Sequence, residues 1–452
     1  MVVPVVMHKK ILLALKWLII FSLIFTTLSN KLDFDFGWHL AAGDYTRGHG
    51  VPSHDLYTYT AQSFEWINHE AINDMLMSLL YSAGGFGLLV VFYSLIWTGA
   101  FMVAAFRVRL GILLLALLAT MPYMAIRPMA WTVLGLATLL WLINKGPKRL
   151  KLAIPLLFLV WANLHGGFVI GLIVLFYFLI KQRNRFWLLI FLASVLATMV
   201  NIYGPRLYEE IFRTLFDSSL RYQITEWFPL QIYKLSWPFI ILWIAGFWLF
   251  SRRKRSEWYS LPPLFFLASL SATRNVPLFV IVSVNKAGEY YEQALKEIPK
   301  KPPWLPRAFT WSSAAVIYLV SIWGFYGTSA PFSVDKEDRF PKAAVAYLKK
   351  NRCQGNLFND FNYGGYLIWK LPEQKVYIDG RMPSWRDEKG VRYLDRYRSI
   401  IKDQEKQDEE FKRYAIRCVL VRSGYVDFVK RLKDTGWKAE IESNGASLLL
   451  AP

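Results

Sequence analysis

Residues 8–28 read HKKILLALKWLIIFSLIFTTL, a basic start followed by an apolar run from Ile11 to Leu28. Crossing the hydrocarbon core of a bilayer takes about 20 helical residues, so this run is long enough to span. No small-residue cleavage signal follows it, which predicts a retained signal anchor with a cytoplasmic N-terminus. The same grammar recurs along the chain: an apolar stretch, a polar break, a second apolar stretch and a basic cluster. Those clusters lie at Arg107 and Arg109, at Lys145 to Lys151, at Lys181 to Arg185, at Arg252 to Arg255, and from Lys286 to Arg307.

Counting runs between the clusters predicts eleven spanning helices. The first is Ile11 to Leu28, and the second leads from about Asn73 to Arg107. Four pairs follow, around Arg127-Pro128, around Asn163 to Gly167, around a loop from Asn201 to Trp237, and around Thr273-Arg274-Asn275. The last span is Phe309 to Gly327. With the basic clusters assigned to the cytoplasm, an odd count places the C-terminal segment outside. The fold class is thus a membrane all-α protein with a C-terminal extracytoplasmic α/β domain. Residues 1–330 would form the membrane domain, with a first extracytoplasmic loop at 29–73, and residues 335–452 the soluble domain.

The composition agrees. The 452 residues are 54% hydrophobic and only 19% charged, with a mean hydropathy of +0.27, above the soluble norm. A net charge of +20 would suggest nucleic acid in a soluble chain. Here the excess sits between apolar runs, so it is read as the positive-inside pattern and no nucleic-acid partner is expected. From Asp335 onward the composition becomes soluble. Its pattern predicts a helix at Pro341–Lys350, a strand at Asn356–Phe358, a helix at Gly365–Lys370 and a strand at Lys375–Ile378. Helices within Val391–Arg413, a strand at Arg417–Val421, a helix at Val426–Asp434, and a strand pair at Lys438–Ile441 and Ser447–Leu450 complete it. Cys353 and Cys418 are the two cysteines. They form one bridge if this segment faces an oxidising compartment, and are two buried thiols otherwise.

Every conspicuous polar motif lands on the side away from the basic clusters, and one shared extracytoplasmic cavity would explain that distribution. The first loop carries Asp33-Phe34-Asp35-Phe36-Gly37-Trp38-His39-Leu40-Ala41-Ala42-Gly43, then Pro52 and Asp55, then Trp66-Ile67-Asn68-His69-Glu70. Two carboxylates one residue apart, where a helix leaves the membrane, are expected in a partly desolvated setting, of the kind that can raise a pKa enough for base work. The plainer alternative is a solvated helix cap. Asp33, Asp35, His39, His69 and Glu70 include enough donors for a divalent metal, but no compact ligand spacing is present, so no metal ligand is assigned. Neither a phosphate-binding Gly-rich loop with its Lys nor a Gly-x-Ser-x-Gly elbow occurs, which removes nucleotide hydrolysis and the common serine-hydrolase arrangement.

The first-loop pattern resembles that of bacterial and archaeal GT-C-type glycosyltransferases, a mannosyltransferase-like group that reads Asp-x-Asp-x-x-Trp-His-Leu-x-x-Gly, Pro-x-x-Asp and Trp-x-Asn-His-Glu in this order. The resemblance continues through Trp161 to Gly167, Asn201-Ile202-Tyr203-Gly204, Glu226-Trp227 and Arg274-Asn275. It ends in Gly364 to Trp369 and Ile378-Asp379-Gly380-Arg381, and so covers essentially the whole chain. One departure is Gly37, where members often carry a second tryptophan, at the loss of a stacking surface.

The resemblance implies a cell-envelope transferase that moves a hexosyl or pentosyl unit from a dolichyl- or polyprenyl-phosphate donor to a glycan, lipid or protein acceptor. Asp35 is the expected base, with Asp33 second, and His39, His69 and Glu70 would orient the acceptor. Arg127 and Arg274 are the candidate donor-phosphate clamps, since a guanidinium at a membrane helix break is costly unless paired and its fork fits phosphate oxygens. Structural ion pairs to Glu226 or to the acidic loop are the alternative for both. Asn163, His165 and Glu226 would line the site, with interhelical hydrogen bonds as the alternative for the first two. A transporter or flippase of a lipid-linked or polar substrate remains the rival function.

Overall fold

The computed structural model describes residues 2–230, 260–297, 339–443 and 445–452. The predicted eighth span with Arg252 to Arg255, and the eleventh from Phe309 to Gly327, lie outside the described residues. The chain divides into two compact units. One comprises Met1–Lys31, Gly87–Pro205 and Ser218–Pro331; the other comprises Leu32–Phe86, Arg206–Asp217 and Phe332–Pro452. The polar first loop therefore clusters with the C-terminal segment.

The first unit is helical. Helices Val2–Ser29, Leu110–Thr120, Met129–Asn144, Ile154–Leu164, Phe168–Gln182, Arg185–Thr198, Leu261–Ser271 and Val276–Glu297 stand where apolar runs predict them. Ala71–Ala105 begins in the second unit and breaks at Gly84–Gly85 before continuing into the first. Among the described residues two helices, Lys10–Ser29 and Ala71–Ala105, are long and apolar enough to cross a membrane. Others are shorter: Ile154–Leu164 has 11 residues, a rise of about 16 Å. Such half-length elements end at polar breaks, an arrangement tolerated at membrane depth where protein lines the break. Val276–Glu297 forms the centre of the unit, burying Leu278, Phe279, Val280, Ile281 and Val284 against its neighbours Leu261–Ser271, Leu110–Thr120 and Met129–Asn144.

The second unit carries a four-stranded mixed sheet. Strands β1 (Asn356–Asn359), β2 (Ile416–Arg422), β3 (Lys438–Glu442) and β4 (Ala446–Leu450) lie in the order β1-β2-β4-β3. β1 runs parallel to β2, and the β2–β4 and β3–β4 pairs are antiparallel. β2 is buried along most of its length, as a central strand covered on both faces must be. Helix Tyr393–Lys402 buries Tyr393, Leu394, Tyr397 and Ile400, and Val426–Asp434 buries Phe428, Val429 and Leu432, the apolar stripe of period 3.6. Fully buried Phe358 on β1 meets the rings of Tyr377, Tyr397, Phe411 and Phe428.

Two expectations change. Lys375–Ile378 is not a sheet strand: Val376 makes a single parallel bridge with Thr58 of the first loop. Its alternating pattern answers to that loop and to Asn359, whose side chain accepts from the Tyr377 amide and donates to the Ile378 carbonyl. Gly37 is a close contact, with no room for a stacking ring. A Cβ there would lie 2.2 Å from the Gly365 carbonyl oxygen, so helix Phe36–His49 crosses Gly364–Lys370 backbone to backbone.

Cys353 and Cys418 are disulfide-bonded, with Cα atoms 6.0 Å apart across 65 residues of sequence. Closing a loop of that length restricts the unfolded chain by about 4 kcal/mol. Replacing both cysteines by serine is expected to destabilise this unit by that order, read as a lowered denaturation midpoint; an unchanged midpoint would show that the bridge contributes nothing.

Candidate functional site

The candidate residues divide between the two units, and each cluster is described by itself. In the second unit the chain turns through Asp33–Asp35 into helix Phe36–His49. Asp33 closes this turn, its carboxylate accepting the Asp35 amide at 3.0 Å. Asp35 occupies the N-cap position but makes no side-chain capping bond. Asp33 thus closes the turn that leads into the helix, and the two carboxylates have different backbone contacts. Asp35 is pressed from another direction: a Cβ on Gly380 would lie 1.7 Å from Asp35 Oδ1. Only glycine lets the Asp379-Gly380-Arg381 backbone come so near the carboxylate.

One turn along, His39 is buried. Its Nδ1 lies 2.7 Å from Asp74 Oδ1 and 3.9 Å from Glu70 Oε2. Asp74 is fully buried and its other oxygen accepts from Asn68 Nδ2 at 2.9 Å. Gly43 permits this approach, since a Cβ there would meet the Asp74 carbonyl oxygen at 2.0 Å. Burial pulls the His39 pKa down, but Asp74, then Glu70 and Asp35, outweigh it and raise it to about 9. His39 is therefore a cation at neutral pH, one helical turn from Asp35. His69 Nε2 stands 3.6 Å from Glu70 Oε1, and it also acts on Glu210, whose burial raises its carboxyl above the usual range.

A His raised above its unfolded value of 6.5 adds stability that is complete below that value and lost as pH climbs through about 9, a span worth roughly 3 kcal/mol. The wild type is therefore expected to lose thermal stability between pH 6.5 and 9, and His39→Gln to flatten that slope. Parallel pH profiles would refute the account of the pair.

Behind Asp35 the turn is locked by ions. Arg381 donates to Asp379 from Nε at 2.8 Å and from Nη2 at 2.6 Å, and to Asp55 from Nη2 at 2.7 Å. The rings of Tyr57, Trp66 and Trp385 surround its guanidinium at 4.8, 4.5 and 5.2 Å. All three charged side chains are buried. Fixed between two carboxylates, the guanidinium is held charged and its pKa is pushed up despite burial.

In the first unit three candidates meet. Arg127 precedes helix Met129–Asn144, Glu226 lies in the short turn Thr225–Trp227, and Arg274 in the turn Thr273–Asn275. The Thr273 amide donates to the Phe228 carbonyl at 2.9 Å and its hydroxyl to the Glu226 carbonyl at 3.0 Å, tying the two turns together. Arg127 Nη1 reaches Glu226 Oε2 at 2.7 Å and Arg274 Nη1 reaches Oε1 at 3.3 Å. Arg274 also covers the Trp227 ring at 4.5 Å. Removal from water pushes the Glu226 carboxyl up, yet the two arginines hold it below the usual carboxylate range. The ion pairs weighed from sequence are present, and the triad keeps a net positive charge.

Asn163 and His165 make structural bonds. Asn163 Nδ2 donates to the Leu159 and Val200 carbonyls, both at 2.9 Å. His165 Nδ1 accepts from the Gly167 amide at 3.2 Å and lies 2.5 Å from Thr132 Oγ1, which accepts from Trp161 Nε1. A backbone amide can only donate, so the ring proton sits on Nε2. The Val200 and Thr132 contacts are bonds between helical segments, of the kind weighed as the alternative, whereas the Leu159 bond lies within the helix that carries Asn163.

Sequence reasoning missed Asp74, which looked like the polar edge of an apolar helix; its position one turn after Glu70, the residue that precedes that helix, was the available signal. It also treated Asp55 and Arg381 separately. Among the described residues no group of three or more His, Cys, Asp or Glu side chains is arranged to hold a metal ion. The oxygens of Asp74 are already engaged by His39 and Asn68.

No family model and no curated protein matches the chain. Solved structures do. The archaeal oligosaccharyltransferase AglB from Archaeoglobus fulgidus, in complex with an inhibitory peptide and a dolichol-phosphate, superposes with a TM-score of 0.54 at 13% identity over 91% of this chain and 69% of its own. The apo form of the Archaeoglobus fulgidus oligosaccharyltransferase gives 0.52 over the same shares, also at 13% identity. ArnT from Cupriavidus metallidurans bound to undecaprenyl phosphate gives 0.51 at 13% identity, covering 99% of this chain and 98% of its own. The likeness is one of fold: this chain shares with these structures a membrane helical fold with a C-terminal sheet domain.

Proposed function

We propose that this chain is an integral membrane glycosyltransferase that moves a sugar from a polyprenyl-phosphate donor to an extracytoplasmic acceptor. The observation that carries the reading is the placement of Asp35 at the start of helix Phe36–His49, held against Gly380 and one turn from the His39–Asp74 pair. Two fold relatives hold lipid phosphates, dolichol-phosphate in AglB and undecaprenyl phosphate in ArnT, which supports the donor class.

In the proposed step, an acceptor hydroxyl oxygen attacks the anomeric carbon while its proton passes to Asp35. The bond from that carbon to the phosphate oxygen breaks, with inversion, and the polyprenyl phosphate leaves carrying the negative charge. Arg127 and Arg274 stabilise that charge, shifting part of their pairing from Glu226 to the phosphate. His39, His69 and Glu70 orient the acceptor. The Cys353–Cys418 bridge supports an oxidising, extracytoplasmic setting for the C-terminal domain, opposite a cytoplasmic N-terminus.

Arg274→Ala is expected to raise the donor KM at least tenfold, with Arg274→Lys recovering only part of it, because an ammonium lacks the bidentate fork. Steady-state kinetics against donor concentration checks this. Kinetic constants unchanged in a variant that is merely less stable would return Arg274 to a structural role.

A further inference from the structure

No Asp or Glu occurs between Asp74 and Glu209, so the basic turns in that stretch lack neighbours of opposite charge in sequence. Two of these turns meet in a cleft of about 470 Å³ lined by Lys148, Lys151, Asn184, Phe186 and Trp187. The Lys148 ammonium lies 5.9 Å from the Phe186 ring centre and that of Lys151 lies 5.4 Å from Trp187. Each lysine is thus propped on an aromatic face. Among the described residues neither lysine is ion-paired. Helix Arg185–Thr198 begins at this cleft, adding the positive end of its dipole, and packs against Ile154–Leu164, which starts three residues after Lys151. Leading away from it they expose Leu156 and Val160 on one helix and Leu189, Leu192 and Leu196 on the other.

A cationic cleft with an aromatic rim, opening onto an apolar ridge, has the chemistry of a phospholipid: phosphate at the lysines, glycerol against the rings, acyl chains along the leucines. We propose that this cleft binds the headgroup of an anionic phospholipid. It is separate from the Arg127 cluster, because Arg127 precedes and Lys148 follows the 16-residue helix Met129–Asn144, about 24 Å long. The proposal therefore stands independently of the transferase reading.

The test is native mass spectrometry of the purified full chain, offered phosphatidylglycerol and phosphatidylcholine with the same acyl chains. The wild type should retain phosphatidylglycerol about tenfold better. Lys148→Gln/Lys151→Gln should abolish that preference, whereas Lys181→Gln, which lies outside the cleft over Tyr177, should keep it. Equal retention of the two lipids by the wild type overturns the proposal and requires no variant to fold. So does a double variant that keeps the preference, or a Lys181→Gln variant that loses it equally. Displacement of the lipid by water-soluble glycerophosphate would identify a free phosphate site and overturn the lipid assignment.

Discussion

Asp35→Asn is expected to lower sugar transfer by about a thousandfold, within the range general-base removal costs, while leaving the donor KM and thermal stability close to wild type. Asparagine matches aspartate in shape, so the contact with Gly380 and the start of helix Phe36–His49 survive; what is lost is the capacity to take a proton. Asp33→Asn is the informative companion. Its side-chain oxygen can still accept the Asp35 amide, so the turn closes and transfer should fall by less than about tenfold. The expected asymmetry follows from the proposed roles: Asp33 closes the turn through the Asp35 amide, whereas Asp35 is the proposed base. Initial rates of the two variants check it, and a larger loss for Asp33→Asn would reverse the assignment.

The largest expected effect on stability is at Arg381. Methionine there fills much of the volume but leaves Asp55 and Asp379 buried without their cation. Breaking a buried pair by removing one partner costs about 3–5 kcal/mol, because the remaining charge stays in a poorly solvating medium. For a domain of this size that is a fall in Tm on the order of 10 °C. Lysine should rescue little: the guanidinium meets both oxygens of Asp379 and one of Asp55 from a single planar fork. Thermal unfolding of Arg381→Met in detergent checks this, and a Tm within about 2 °C of wild type would mean that water compensates the carboxylates.

Much of this architecture was legible in the sequence. Helices occur at the apolar runs, and all four sheet strands lie within one residue of expectation, because burial on both faces leaves continuous apolar runs such as Cys418–Val421. Lys375–Ile378 misled because Val376 and Ile378 are buried by the first loop and by Asn359, an environment that local pattern does not reveal. The acidic pair of the first loop was found, but the division of labour within it depends on one backbone amide. Gly37 looked like a loss until the Gly365 carbonyl was seen against it. The Asp55–Arg381 pair spans 326 residues and has no periodic signature. Asp74 belonged to a hydrophobic helix by composition and to His39 by geometry.

The most direct test of the central claim is transfer of radiolabelled sugar from a panel of polyprenyl-phosphate donors by the purified protein in lipid, with the freed polyprenyl phosphate measured alongside. The account predicts that label enters an acceptor, that one polyprenyl phosphate appears per sugar transferred, and that Asp35→Asn abolishes both. Donor carried across the bilayer intact, with no label transferred by the wild type from any donor, would contradict it and establish a transporter.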